Sequence, residues 1–168
     1  MIGPNPQRSH AVSLVIEKAL PEDRPRIFEL LEQANMHHIP SSEMPDVTWD
    51  NYFVARLDDE VVGFSGYKIL SATEAKTELM AVDTKCRGMG IGFILQERRM
   101  QDMVRRGIQT LITNADLPPT IAFYKKHFGY REVGKLKKTH EFGDPGIDQW
   151  TTLQVDLVAW DKGRDKGE

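Results

Sequence analysis

Several features that mark particular classes of protein are scarce in this sequence. It has one cysteine, Cys86, which excludes an intrachain disulfide and every multi-cysteine zinc pattern. No apolar run approaches the ~20 residues of a membrane helix, and the first residues lack the apolar core of a secretory signal. With 22 Lys and Arg against 25 Asp and Glu, neither sign of charge dominates. We therefore expect a cytoplasmic protein with no metal site and no nucleic-acid or membrane partner.

The length and composition indicate one domain with a substantial core. The chain has 168 residues, of which 40% are hydrophobic and 28% are charged. A chain of this length buries enough surface to fold without a disulfide or a metal. We expect a flexible arm over residues 1–11, a single domain over residues 12–158 and a charged, solvated tail over residues 159–168.

The order of the apolar patterns predicts an α+β fold. Runs rich in β-branched residues lie early in the chain, and two of them flank the acidic turn Asp58–Glu60 as a hairpin would. Helical spacing alternates with strand patterns later in the chain. The predicted strands are 12–19, 52–57, 61–70, 77–82, 108–113, 130–137 and 150–158, and the predicted helices begin near Pro21, Gly90 and Pro118. Such an order favours a sheet with helices on its faces.

A glycine-rich turn between a strand and a helix is the most informative local feature. Glycines at alternate positions let the backbone turn sharply, and the helix that follows directs unpaired N–H groups at the same point. Such a turn suits a phosphate or a pyrophosphate, although many glycine turns are only tight turns. The apolar side chains of the helix would anchor it, while Arg98, Arg99 and Arg105 stay in water. The residues of the turn are Arg87, Gly88, Met89, Gly90, Ile91 and Gly92.

Two other phosphate-binding motifs do not fit this turn. A Walker loop would end in Gly-Lys followed by Ser or Thr, and that ending is absent. The GxGxxG spacing of a dinucleotide fingerprint is also absent, and the preceding strands form a meander instead of a βαβ unit. A nucleotide-binding protein nevertheless stays open as an alternative at this point.

Two motifs together resemble the GNAT superfamily of N-acetyltransferases. The turn Arg87–Gly92 matches the R/Q-x-x-G-x-G/A signature of that family, and the strand 79–82 precedes it at the family spacing. Downstream, the segment 121–130 is similar to the family's A-x-x-F/L-Y-x-x-x-G-F/Y helix. The resemblance is close from Thr77 to Val133 and extends in element order over most of the chain.

The resemblance implies a fold and a co-substrate. The fold would have a central, mixed, mostly antiparallel twisted sheet of six or seven strands, flanked by about four helices and splayed between strands 4 and 5. The glycine-rich turn would bind the pyrophosphate of acetyl-coenzyme A. Backbone groups of Met80, Ala81 and Val82 would pair with the pantetheine arm as an added strand does.

The resemblance also implies direct transfer of the acetyl group from the thioester to an amine. The role of the acid that protonates the departing thiolate falls on Tyr124, since a tyrosine hydroxyl is protonated at neutral pH. The alternative is that Tyr124 is a core aromatic beside Phe123 and Phe128. Relatives often carry an Asn seven residues before this Tyr. That position is Leu117 here, and Asn114 is the nearby residue that would contact the cofactor instead.

The best candidate for the base that takes the proton of the amine is Glu78. Strand alternation predicts that Glu78, Met80 and Val82 share one face of the sheet and that Thr77, Leu79 and Ala81 share the other. A carboxylate desolvated near the thioester would be a useful base. An exposed or ion-paired strand residue, with ordered water as the base, is the alternative.

The acceptor is predicted only by class. The resemblance implies that acceptor specificity lies in segments 36–50 and 139–149, and the second carries Glu141, Asp144 and Asp148. Acidic residues at an entrance attract a cationic amine, which favours a small-molecule amine or an amino-acid derivative. A protein N-terminus or lysine as acceptor, and a non-catalytic acyl-CoA-binding or sensor domain, stay open as alternatives. Relatives often form dimers, but no residue here demands a homodimer.

Overall fold

The computed structural model describes residues 13–34, 49–139 and 143–166 of the chain. The arm predicted at residues 1–11, most of the segment 36–50 and residues 140–142 lie outside these ranges. Within them, no helix is both long enough and apolar enough to cross a membrane.

Seven strands and four α-helices make up the described fold. The strands are β1 (Leu14–Lys18), β2 (Tyr52–Leu57), β3 (Glu60–Ile69), β4 (Glu74–Val82), β5 (Thr110–Ala115), β6 (Arg131–Lys137) and β7 (Gln149–Asp156). The helices are α1 (Arg24–Gln33), α2 (Ile91–Arg105), α3 (Pro118–Phe128) and α4 (Leu157–Lys166), with short 3-10 turns at Pro21–Asp23 and Thr84–Cys86.

The strands form one mixed sheet in the order β1-β2-β3-β4-β5-β7-β6. The pair β4–β5 is parallel, and the other neighbouring pairs are antiparallel. Parallel neighbours need a crossover, which α2 supplies between β4 and β5. This architecture confirms the predicted α+β fold class and the predicted mixed, mostly antiparallel sheet.

Each face of the sheet is covered by helices. Ile27, Leu30 and Leu31 of α1 pack on one face against Tyr52, Phe64 and other side chains of β2, β3 and β4. Helices α2 and α3 pack on the opposite face, where α2 contributes Met100 and Met103 and α3 contributes Tyr124 and Phe128. We call these the α1 face and the α2–α3 face.

Residues 159–166 are helical, although the sequence predicts a charged, solvated tail over residues 159–168. Helix α4 continues to Lys166. Its first residue, Leu157, is fully buried, Trp160 packs on the same core, and the carboxylate of Asp156 accepts hydrogen bonds from the first N–H groups. The described part of the predicted tail therefore belongs to an anchored helix.

A β-bulge interrupts the pairing of β3 with β4. Ser65 pairs with Met80, and Tyr67 pairs with Thr77. Gly66 alone therefore faces two residues of β4, Glu78 and Leu79. An extra residue in one strand shifts its side-chain alternation by one position.

The strands β4 and β5 pair only at one end. The register joins Glu74–Lys76 to Thr110–Ile112, and the buried hydroxyl of Thr77 then donates a hydrogen bond to that of Thr113. Beyond these threonines, β4 runs on to Val82 and β5 to Ala115 with no backbone pairing between them among the described residues. The sheet therefore splays at the predicted position, and we call the opening between the two strands the β4–β5 gap.

Candidate functional site

The glycine-rich turn has a conformation that needs glycine. Gly88 and Gly90 have φ values of 86° and 79°, a region that L side chains rarely adopt. A Cβ at either position would meet no atom within 4 Å, so the requirement comes from the backbone and not from packing. Gly90 is the N-cap of α2, and no side chain caps that helix end.

The N–H groups at the start of α2 lack acceptors in the described part of the chain, apart from that of Ile94, which donates to the carbonyl of Gly90 over 3.2 Å. Unpaired N–H groups and the positive end of the helix dipole converge on this turn. Arg87 is exposed beside it. The predicted turn therefore has the backbone of an anion site.

An ion pair fixes the chain just before the turn. Asp83 is buried, its carboxylate accepts a hydrogen bond of 3.0 Å from the N–H of Lys85, and it pairs with Arg26 of α1. Arg26 also donates to the carbonyl of Val61 over 3.0 Å. The Lys85 N–H and the Arg26 guanidinium hold the pKa of Asp83 below its ordinary value, against the opposing effect of burial.

We predict that Asp83→Asn is about 1–2 kcal/mol less stable than the wild type near neutral pH, because it removes a charge-assisted contact. A carboxyl with a lowered pKa stabilises the fold above its ordinary pKa of about 4, and this contribution is lost as the pH falls through the lowered value. The stability difference between variant and wild type should therefore shrink below about pH 4. Urea denaturation at pH 7 and pH 3 measures it. The exposed Asp59→Asn serves as control, and a difference that does not depend on pH would contradict the prediction.

Tyr124 lies on the α2–α3 face, in the middle of α3 and 5% exposed. Its ring lies 5.5 Å from that of Phe123 and 5.1 Å from that of Tyr130, measured between centroids. Its hydroxyl accepts a hydrogen bond of 3.3 Å from Arg99. The ring is thus a core aromatic, as one interpretation of the sequence has it, and the hydroxyl also belongs to a buried polar network.

Glu78 lies on the α1 face, and the predicted alternation of β4 is wrong at this position. The hydroxyl of Tyr52, a core residue of the α1 face, donates to Glu78 Oε2 over 2.7 Å. Thr77 pairs with Tyr67, and Met80 pairs with Ser65. Ser65 and Tyr67 are alternate residues of β3 and share the α2–α3 face, so Thr77 and Met80 share that face too. Because the bulge inserts one residue, Glu78 shares a face with Leu79 and not with Met80.

The pair of Tyr52 and Glu78 is held by packing. Tyr52 is fully buried, and its ring lies against Gly66 so closely that a Cβ there would collide with it. Burial and the neighbouring Glu78 raise the pKa of Tyr52 well above its ordinary value, so its hydroxyl stays protonated and donates. No described residue hydrogen-bonds Glu78 Oε1. One oxygen of the carboxylate is therefore anchored and the other is open.

The other predicted positions border the β4–β5 gap. Met80, Ala81 and Val82 pair with β3 on one side, and their remaining backbone groups have no strand partner on the β5 side among the described residues. Asn114 lies in β5 beyond the last paired residue, and its Oδ1 accepts a hydrogen bond of 2.7 Å from Thr152. Glu78, Met80–Val82 and Asn114 therefore lie on the unpaired stretches of β4 and β5 that border the gap. The glycine-rich turn follows the end of β4, and Tyr124 lies in the core of the α2–α3 face.

The segment 139–149 is anchored to the end of β5. Asp116 accepts hydrogen bonds from Lys138 Nζ over 3.0 Å and from the N–H of Asp144 over 2.9 Å. The Asp144 carboxylate accepts from the N–H of Gly146, and Asp148 is exposed. Of the three acidic residues predicted at an entrance, Glu141 lies outside the described ranges. The ion pair of Asp116 with Lys138 fixes where this segment begins.

Sequence reasoning missed two participants of this region. Arg99 is predicted to lie in water but is fully buried. Its spacing of four and eight residues from Leu95 and Ile91 places it on the apolar stripe of α2, and this signal could have indicated its burial. The contact of Tyr52 with Glu78 depends on strand pairing across the bulge, which no local pattern contains.

Comparison of the sequence with family profiles gives one match. A profile described as "Acetyltransferase (GNAT) family" matches residues 24–130. This range contains α1, the bulge, the glycine-rich turn and α3. No curated protein sequence matches the chain.

Comparison with solved structures gives similar folds at low sequence identity. Ard1 from Thermoplasma volcanium is 20% identical with a TM-score of 0.72, over 85% of this chain and 97% of that one. The ribosomal-protein-S18-alanine N-acetyltransferase from Escherichia coli is 19% identical with a TM-score of 0.72, over 86% and 94%. Arabidopsis thaliana Naa50, in complex with the bisubstrate analogue CoA-Ac-MVNAL, is 16% identical with a TM-score of 0.71, over 86% and 99%. At such identities the likeness concerns the fold.

Proposed function

Because the chain belongs to the acetyltransferase (GNAT) family, whose profile matches more than half of it, we propose that it transfers the acetyl group of acetyl-coenzyme A to an amine. The observation that carries the proposal is the β4–β5 gap, with Tyr124 on one face of the sheet and Glu78 on the other. A nucleophile arriving from the α1 face and a thiolate leaving toward the α2–α3 face would be separated by the thioester in the gap.

The coenzyme would lie along β4, with its pyrophosphate at the glycine-rich turn. The free N–H groups of the turn and the start of α2 suit two phosphate groups. The pantetheine arm would pair with the unpartnered backbone groups of Met80–Val82 and add to the sheet as a strand does. The thioester at the end of the pantetheine arm would then lie beside the bulge.

The amine would reach the thioester on the α1 face. An amine must be neutral to attack, and Glu78 would take its proton with the oxygen that Tyr52 leaves open. A carboxylate at this position also attracts an ammonium group before it loses its proton. These features favour a small-molecule amine or an amino-acid derivative as acceptor.

A second candidate acceptor is the N-terminal amine of a peptide. Two of the similar structures are an N-acetyltransferase of ribosomal protein S18 alanine and a Naa50 bound to a peptide-bearing bisubstrate analogue. The chain covers nearly all of both structures. The two acceptors differ in length, so an acceptor panel separates them.

The first test compares ligands and the second compares acceptors. Acetyl-CoA and CoA should raise the thermal midpoint of the protein, because a ligand that binds the native state stabilises it. ATP and NAD should not. Release of free thiol from acetyl-CoA should then be measured with polyamines, free amino acids, lysine-containing peptides blocked at the N-terminus, and peptides with a free N-terminus. Stabilisation by ATP alone would defeat the proposal, and binding of acetyl-CoA without thiol release for any amine would favour a sensor domain.

We predict that Gly90→Ala lowers the affinity for acetyl-CoA about tenfold or more. A residue with Cβ at φ 79° costs roughly 1–2 kcal/mol, so the turn would rearrange and its N–H groups would lose their alignment. Gly107→Ala is the matched control, because Gly107 has φ 83° and open space around it but lies at the end of α2 remote from the turn. Isothermal titration of both variants measures the effect. Equal affinities for the two variants would remove the turn from the coenzyme site.

A further inference from the structure

Arg99 of α2 is a fully buried cation at the centre of the domain. Its Nε donates to Gln96 Oε1 over 2.7 Å, and one terminal nitrogen donates to the carbonyl of Gly66 over 2.9 Å. The other terminal nitrogen donates to the hydroxyl oxygen of Tyr124 over 3.3 Å. The guanidinium thus joins the β3 residue at the bulge to the hydroxyl on α3.

The charge of Arg99 has no counter-ion in the described part of the chain. Arg99 forms no ion pair within 4.0 Å among the described residues, and its three hydrogen-bond acceptors are neutral. Removing a guanidinium from water costs several kcal/mol, which neutral acceptors offset only in part. An apolar side chain would fill the same space without this cost. The contribution of the charge to stability therefore does not explain its position.

The chemistry of the two groups fixes the direction of their hydrogen bond. A guanidinium only donates, so the oxygen of Tyr124 is the acceptor and its own proton points elsewhere. That proton is available to another acceptor, while the oxygen already faces a positive charge. If the proton leaves, the phenolate oxygen stays beside the guanidinium and the hydrogen bond becomes charge-assisted.

We propose that Arg99 is a positioning residue that holds the phenol of Tyr124 and stabilises the phenolate formed as Tyr124 protonates the departing sulfur. The inference rests on the proposed function. The amine nitrogen forms a bond to the carbonyl carbon, and the C–S bond breaks with its electron pair on sulfur. The proton of Tyr124 passes to that sulfur to give free CoA. The proton lost by the amine reaches solvent through Glu78 or water, and solvent returns a proton to the phenolate.

The proposal predicts an effect on turnover without an effect on coenzyme binding. The contact strengthens only when negative charge develops on Tyr124, so it favours the transition state over the ground state. Arg99→Met should lower kcat about tenfold to a hundredfold, in line with the loss of one charged donor near a developing anion. The KM for acetyl-CoA should stay within about twofold. Arg99→Lys keeps the charge and should recover part of the lost kcat.

The experiment is a double-mutant cycle with Tyr124→Phe, using the amine that gives the fastest thiol release in the acceptor panel. In the Tyr124→Phe background, replacing Arg99 with Met or Lys should change kcat by less than about twofold, because residues that act as a unit are not additive. Tyr67→Phe is the structural control. It removes another buried hydroxyl contact between β3 and α2, that of Tyr67 with Asp102, and should leave kcat unchanged.

The outcomes distinguish a failure of the inference about Arg99 from a failure of the proposed function. Equal losses of kcat for Arg99→Met with and without the Tyr124 hydroxyl would assign Arg99 a purely structural role and overturn the inference alone. If Arg99→Met fails to fold, the same cycle with Arg99→Lys carries the test. Absence of thiol release by the wild type with every amine would overturn the proposed function, and the inference would fail with it.

Discussion

Replacing Tyr124 with phenylalanine is expected to lower kcat about a hundredfold to ten-thousandfold, the range found for a lost general acid. A thiolate leaves more readily when a proton reaches it in the transition state. Because Arg99 only donates to the Tyr124 oxygen, the proton of the Tyr124 hydroxyl remains available for transfer. The affinity for acetyl-CoA should hardly change, because the hydroxyl would make only a small part of the proposed coenzyme contact. Thiol release at saturating acetyl-CoA, with isothermal titration of the coenzyme, measures both quantities.

The control for this substitution is again Tyr67→Phe. Both tyrosines are buried, both hydroxyls contact α2, and both changes remove a single oxygen atom. Burial and the Asp102 carboxylate raise the pKa of Tyr67, so its hydroxyl is a fixed donor to α2 in the core. A similar loss of kcat in both variants would indicate general loosening of the core. Full activity of Tyr124→Phe would remove Tyr124 from the mechanism and return it to the role of a core aromatic.

The parts of this protein that were predictable from sequence are those fixed by local patterns. Gly88 and Gly90 predict a sharp backbone turn, and both have a positive φ in the structure. The profile match confirms the family that the turn and α3 resemble. Helix α3 begins at Pro118 and ends before Gly129, two residues whose backbone preferences mark helix ends. The order of the strands and of the first three helices followed from the same patterns, and the α+β fold is confirmed.

The features that were not predictable depend on contacts between distant segments. The face of Glu78 depends on Gly66, twelve positions earlier in the chain, because the bulge exists only where β3 and β4 pair. Tyr52 reaches Glu78 across β3, and only the absence of a side chain at Gly66 allows this. The burial of Arg99 likewise depends on tertiary packing, which brings together the three neutral acceptors of its guanidinium.

The face on which Glu78 lies decides how the two proposed proton-transfer groups are arranged. With strict alternation, Glu78 would share the α2–α3 face with Tyr124, and both would crowd the departing sulfur. With the bulge, the carboxylate lies on the α1 face and the phenol on the other. In the proposed mechanism, one group would then take a proton from the incoming amine while the other would give a proton to the leaving sulfur. The bulge would therefore place the two proposed proton transfers on opposite faces of the sheet.

Replacing Glu78 with glutamine is the second change expected to have a large effect, a loss of kcat/KM for the amine of about a hundredfold. The amide oxygen can still accept the hydrogen bond of Tyr52, so the fold and the position of the side chain should persist. The amide cannot take a proton, so the amine would depend on water for its deprotonation. The affinity for acetyl-CoA should remain that of the wild type, because the carboxylate lies on the α1 face.

The matched control is Glu74→Gln, the same chemical change at the exposed beginning of β4. Its kinetics should equal those of the wild type. A loss that appears in KM for the amine with kcat unchanged would make Glu78 a binding group for the ammonium, since uniform binding affects KM alone. Unchanged kcat and KM in Glu78→Gln would assign the deprotonation to ordered water. In that case the hydroxyl of Tyr52 and the Glu78 carboxylate would form a structural pair that stabilises the bulge.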